Sequence, residues 1–123
     1  MSTPPPKPVS AFIDGMNAID IEAFLAPLAD DALVNDRHRQ FWGKSAIRQW
    51  AEAEIIGDSV TLKPTDVREH YGEFIVTGAV DGTFDKTGLP PVLTLAFYFS
   101  VCEDRIVQII ILPIAGRALE AGA

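Results

Sequence analysis

The sequence predicts an α+β fold in which three helices pack on a mainly antiparallel sheet. Apolar residues recur at helical spacing as far as Gly57 and at a spacing of two beyond it. The helices gather ahead of a run of strands instead of alternating with them, which argues against a doubly wound sheet. The last strands are apolar on both faces, and such strands need a covering on each side.

Residues 1–8, with Pro4, Pro5, Pro6 and Pro8, read as a disordered arm. A single domain is expected over 9–113, followed by a weakly patterned, flexible tail over 114–123. Val9, Phe12, Ile13 and Met16 fall on one helix face. Asp20 is placed to cap a second short helix carrying Ile21, Phe24, Leu25 and Leu28, which Pro27 kinks or ends. Residues 32–43 read as two small strands around a turn. Ser45 then opens a third helix that stops at Gly57, with Ile47, Trp50, Ala51 and Ile55 on its apolar face. Glu54 shares that arc, whereas Glu52 points away from it. Four long strands are expected over 60–71, 73–84, 92–103 and 105–112, with tight turns at Gly72 and at Glu103-Asp104. Leu93, Leu95, Phe97, Phe99 and Val101 line one face, and Ala96 and Tyr98 the other. Ile109 to Leu112 are apolar on both. The helices cover one face, and a second copy of the chain is the simplest cover for the outer one, so a homodimer is expected.

Composition narrows the function. The chain has 123 residues, enough for one domain, and 48% of them are hydrophobic. Seventeen acidic against ten basic side chains give a net charge of −7, which disfavours nucleic acid and anionic membrane as partners. Cys102 is the lone cysteine, so no internal disulfide or Cys-rich zinc site can form. No apolar run approaches the roughly 18 residues of a membrane span, and the first residues lack the apolar stretch of a secretory signal. A cytoplasmic domain without metal or cofactor is expected.

The segments Ile19-Asp20-Ile21-Glu22-Ala23, Leu28-Ala29-Asp30-Asp31-Ala32-Leu33-Val34-Asn35-Asp36 and Gly43-Lys44-Ser45-Ala46-Ile47 resemble the nuclear transport factor 2-like superfamily. Within it the chain is similar to the branch of SnoaL-like polyketide cyclases and ketosteroid isomerases. The resemblance spans about 9–113 and implies a cone-shaped, cystatin-like fold: a strongly curved sheet around the helices, enclosing a mostly apolar pocket. It says little about activity, because the fold hosts many. It places Asp36 where the ketosteroid isomerases carry their general base. It places Phe12 where they carry an oxyanion-donating tyrosine, and their second donor, an aspartic acid, falls near Phe97 in a stretch with no acid. Losing one oxyanion donor typically costs about 10²–10³ in kcat. An efficient steroid isomerase is therefore not expected.

Three residues are candidates for proton transfer. Asp36 would gain basicity in an apolar cone, or would simply cap the hairpin. Glu54 would divide acid and base roles with Asp36, or would extend past Ile55 to water. His38, two residues beyond Asp36, would act as a relay if the chain stays extended, or would sit on a solvated tip. Phe12, Met16, Phe97 and Phe99 are expected to line the cavity. Trp42 and Trp50 are either aromatic platforms for a ligand or plain core. Arg68 and His70 share a strand face that is polar or merely solvated.

The expected activity is acid–base chemistry of the isomerase or cyclase type on a small hydrophobic or aromatic carbonyl compound, through Asp36. A non-catalytic ligand-binding or dimeric structural protein is the alternative. Epoxide hydrolysis ranks last, because it needs an Asp-Arg-Asp arrangement for which only Asp66, Arg68 and Asp81 present themselves.

Overall fold

The computed structural model describes residues 4–114. Helix α1 (Lys7–Asn17) begins two residues before the expected start of order, with Pro8 buried in its first turn, where a missing N–H costs nothing. Asp20 caps α2 (Ile21–Leu25), its Oδ1 accepting from the backbone N–H groups of Glu22 and Ala23. The helix stops short of Pro27, whose carbonyl instead accepts from the Ile106 N–H at 2.9 Å. Strands β1 (Leu28–Asp36) and β2 (Arg39–Trp42) follow. Then comes α3 (Gly43–Trp50), which continues as a π-helical turn over Ala51–Ile56. The meander β3 (Thr61–His70), β4 (Glu73–Asp81), β5 (Leu93–Cys102) and β6 (Arg105–Pro113) completes the fold.

The six strands form a single curved sheet in the order β2-β1-β6-β5-β4-β3. The pairing is antiparallel throughout except between β1 and β6, which run parallel. The third helix follows the first hairpin, the order read from the sequence, so only α1 and α2 precede the sheet. Other expectations change here. Strand β1 is nine residues long, starting at Leu28 rather than Ala32. Its exposed Asp30 and Asp31 break the alternation that marks a strand, and a register shift between Leu28 and Leu33 absorbs the irregularity. Ser45 lies inside α3, whose first residue is Gly43. The second of the four long strands, β4, ends at Asp81, not at residue 84.

The core lies between the helices and the inner sheet face. Phe12, Met16, Phe24, Ile47, Phe99 and Ile109 are almost wholly shielded from solvent. Phe12 packs on Phe24 at 4.4 Å between ring centroids and edge-on to Phe99 at 5.5 Å. Asn17 ties α1 to β3: its amide donates to the Leu62 carbonyl at 2.9 Å and accepts from the Leu62 N–H at 2.8 Å. No described helix is long and apolar enough to cross a membrane. Ile114 adds one bond to Thr94; residues 115–123, where the tail was expected, lie outside the described residues.

Candidate functional site

Asp36 is the last residue of β1, and its neighbourhood is set by the turn that follows. Arg37 and His38 both adopt left-handed backbone, with φ of 50° and 76°. That is the geometry of a two-residue hairpin turn matched to strand twist. Asn35 supports it by accepting the His38 N–H at 2.7 Å. The turn brings Arg39 back directly opposite Asp36. Arg39 and Phe41 then share one face of β2, and Gln40 and Trp42 the other.

Arg39 lies between two carboxylates. One nitrogen reaches Asp36 Oδ2 at 2.6 Å and Glu54 Oε1 at 2.7 Å, and a second reaches Glu54 Oε2 at 2.9 Å. The guanidinium carbon lies 5.6 Å from the centre of the Phe41 ring, which stacks on Trp50. Trp50 and Glu54, four residues apart, face the same way from α3 and its π-helical extension. The Trp50 indole N–H donates to Asp36 Oδ2 at 3.1 Å. Asp36 is thus held through one oxygen by two donors, while Arg37 Nε stands 3.6 Å from the other. Among the described residues Asp36 is the one charged residue that is buried, 9% exposed. The Arg39 guanidinium beside Glu54 holds that carboxyl below its ordinary value, while the Arg39 pKa rises in return. Glu54 is therefore an anion at neutral pH.

Asp36, Arg37, Trp50 and Glu54 form one wall of a cavity of about 280 Å³, with Arg39 and Phe41 behind them. The remaining walls are mostly apolar, with Val80 of β4, Leu95 and Phe97 of β5, Ile111 of β6, and Phe84 and Leu89 from the loop between β4 and β5, and they also include the carboxylates Asp58 and Asp85. A buried carboxylate on the wall of a largely apolar cavity is a setting in which proton transfer and ligand orientation are both feasible.

Of the nine residues picked out in the sequence, Asp36, Glu54, Trp50 and Phe97 line the cavity. Phe12, Met16 and Phe99 do not; they are buried against one another and the helices in the core behind it. His38 is exposed on the turn, because left-handed backbone at two successive residues ends the extended chain that would have aligned it with Asp36. Trp42 is 65% exposed on the outward face of β2, its indole N–H donating to Gln40 at 3.3 Å. Sequence reasoning missed Arg39 and Arg37, since charged residues in a short polar hairpin look like a solvated tip. The Asp36-to-Arg39 spacing across a two-residue turn was the available signal. Arg68 pairs with Asp66 at 2.7 Å and Asp81 with Lys86 at 3.1 Å, so the acid–base–acid trio that forms is Asp36, Arg39 and Glu54 instead. Among the described residues no group of three or more His, Cys, Asp or Glu side chains is placed to hold a metal ion.

The same fold recurs among solved structures. A putative polyketide cyclase from Sinorhizobium meliloti is 25% identical, with a TM-score of 0.78 over 88% of this chain and 95% of that one. TerC, co-crystallised with polyporic acid, is 15% identical, with a TM-score of 0.74 over 92% and 93% of the two chains. SalBIII, an epoxide hydrolase/cyclase-like enzyme of pyran ring formation in the polyether salinomycin, is 16% identical, with a TM-score of 0.74 over 86% and 87%. No protein-family model matches the chain. No curated protein matches it either. The curved six-stranded sheet and its helices have the nuclear transport factor 2-like fold. Its structural neighbours are polyketide cyclase, ketosteroid isomerase-like and SnoaL-type proteins.

Proposed function

We propose that this protein binds a small hydrophobic carbonyl compound and moves a proton on it through Asp36. One observation carries the reading: the one buried charge among the described residues stands on the wall of a cavity lined mainly by apolar side chains, oriented by Arg39 and Trp50, while the other charged groups on that lining are not buried. Oδ2 is occupied by those two donors, so Oδ1 is the oxygen that takes the proton from an acidic C–H. Negative charge then develops on the carbonyl oxygen. Arg37 lines the same cavity and supplies the positive charge nearest to it. It is more than half exposed, which makes it a weaker electrophile than a buried donor. Such a site suits a substrate whose enol is already favourable, as in isomerisation or aldol-type ring closure, and not a steroid dienolate. The polyketide cyclase likeness supports that substrate class.

The carboxylate–guanidinium–carboxylate trio favours a second reading, opening of an epoxide with Asp36 activating water. Glu54, held ionised by Arg39, is not available as its acid, and this ranks epoxide opening behind enolisation.

The test is exchange of the α-protons of 2-tetralone, a two-ring ketone, followed by NMR in D₂O. Wild type should accelerate exchange with saturation. Asp36→Asn, which keeps the shape and one acceptor, should lose about 100-fold or more of that rate while still binding the ketone by calorimetry. Equal exchange in wild type and variant would overturn the catalytic reading and leave a binding protein. We further propose that a second copy of the chain covers the outer sheet face, where Ile75, Tyr98 and Ile110 form one cross-strand row and are only half-buried.

A further inference from the structure

We propose that Phe84 sets the length of the molecule this cavity accepts, by standing as a movable partition between it and a second hollow. The inference deepens the reading of the cavity as a ligand site and rests on that reading, though not on catalysis by Asp36.

The cavity below Asp36 holds about 280 Å³, and a hollow of about 520 Å³ lies beside it. Four residues line both: Val80, Phe84, Leu89 and Leu93. They are the wall between the two spaces. Val80 and Leu93 face each other across the β4–β5 ladder and are fixed by it. Phe84 and Leu89 belong to the connecting loop, which has no ladder to hold it. The movable half of the partition is therefore these two side chains, and Phe84 is the larger.

Phe84 is partly buried and packs against the core from the loop. On the side of the second hollow, Lys86 Nζ lies 5.5 Å from its ring centre and pairs with Asp81 at 3.1 Å in solvent. Its backbone neighbour Thr83 supplies the loop's link to the segment after α3, donating from N–H and hydroxyl to the Asp58 carbonyl at 2.7 and 3.1 Å. Gly82 permits that approach: a Cβ there would lie 2.7 Å from the same carbonyl and 3.0 Å from the Phe84 ring. The latch anchors the start of the loop and leaves the ring itself in place by contact alone. With the ring across the gap, the first cavity falls just under the roughly 300–1,000 Å³ usual for small-molecule sites. With the ring turned aside, the two spaces join and lie well inside that range.

The probes are 4-alkylphenols from methyl to octyl, titrated by calorimetry into wild type, Phe84→Ala and Phe84→Trp. Each buried methylene raises affinity about fourfold, so affinity should climb with chain length until the tail meets the partition and then level off. Removing the ring should shift that plateau outward by about three methylenes, the length a phenyl ring vacates. Phe84→Trp should shift it inward, which keeps the inference open to test if the alanine variant folds poorly. Identical plateaus in all three proteins would overturn it while leaving the ligand site intact. No binding of any alkylphenol to any of the three would overturn the ligand site and the partition together. The loss of Asp36-dependent exchange is a separate readout, so failure of the catalytic reading is distinguishable from both.

Discussion

Arg39 shows how one residue organises the candidate site. It joins a buried carboxylate on β1 to a half-exposed one on the extension of α3, and it packs on the ring that stacks on Trp50. Its pairing with Glu54 makes stability depend on pH in a definite direction. The Glu54 carboxyl titrates below its ordinary value of 4.5 in the folded protein, with the hydrogen bonds from Arg39 as the main cause. A depressed carboxylate contributes its full share above the unfolded value and loses it as pH falls through the folded one. Wild type should therefore exceed Glu54→Gln in stability at pH 7. Since the side chain is 42% exposed and screened by solvent, the margin is within about 1 kcal/mol. Urea titrations at pH 7, 5 and 3 should show the margin intact at 7 and shrinking as pH falls below the ordinary carboxyl value of 4.5. A margin that grows on acidification would refute the assignment of the pair.

The elements are placed by contacts that leave little room for substitution. Helices α1 and α2 cross at Gly15, where a Cβ would lie 2.5 Å from the Phe24 nitrogen and 2.6 Å from the Ala23 carbonyl carbon. Both are backbone atoms and cannot yield without moving α2. Gly15→Ala gains helix propensity yet should lose about 1–3 kcal/mol through overpacking, read as a lower thermal midpoint. The amphipathic faces of α1 and α3 and the turns of the meander were legible in the sequence, because each depends on neighbours within a few residues. The first four residues of β1 were not, since Leu28 pairs with Ile106 far along the chain and Asp30 and Asp31 lie in the register shift between that pair and Leu33, with no alternation to mark them as strand.

At the scale of the whole molecule, the helices cover the inner sheet face and leave the outer one open. The row Ile75, Tyr98, Ile110 runs across three adjacent strands, with Leu112 opposite Ala96 beside it. This row is the surface that the proposed second copy would cover. Sedimentation velocity should give a dimer for wild type, and Ile110→Asp should shift it to monomer while the circular dichroism is retained. A wild-type monomer at micromolar concentration would remove the second copy from the proposal. The same view explains the separation of roles in the sheet: its inner face supplies core toward α1 and cavity toward the β4–β5 loop.

The sequence by itself determined the change of period at Gly57, the cap at Asp20 and the helical faces, and it singled out Asp36, which the structure places on the cavity wall, because those signals are local or come from a family likeness. Tertiary structure decided which aromatic residues meet the cavity. Phe12, Met16 and Phe99 carry the same apolar signal as Phe97, and only packing depth separates core from wall. It also decided that β1 runs parallel beside β6, that Arg39 bridges Asp36 and Glu54, and that His38 turns outward. Spacing along a chain fixes which side chains share a face. Which faces then meet depends on contacts between residues far apart in sequence, and those exist only once the sheet has closed over the helices.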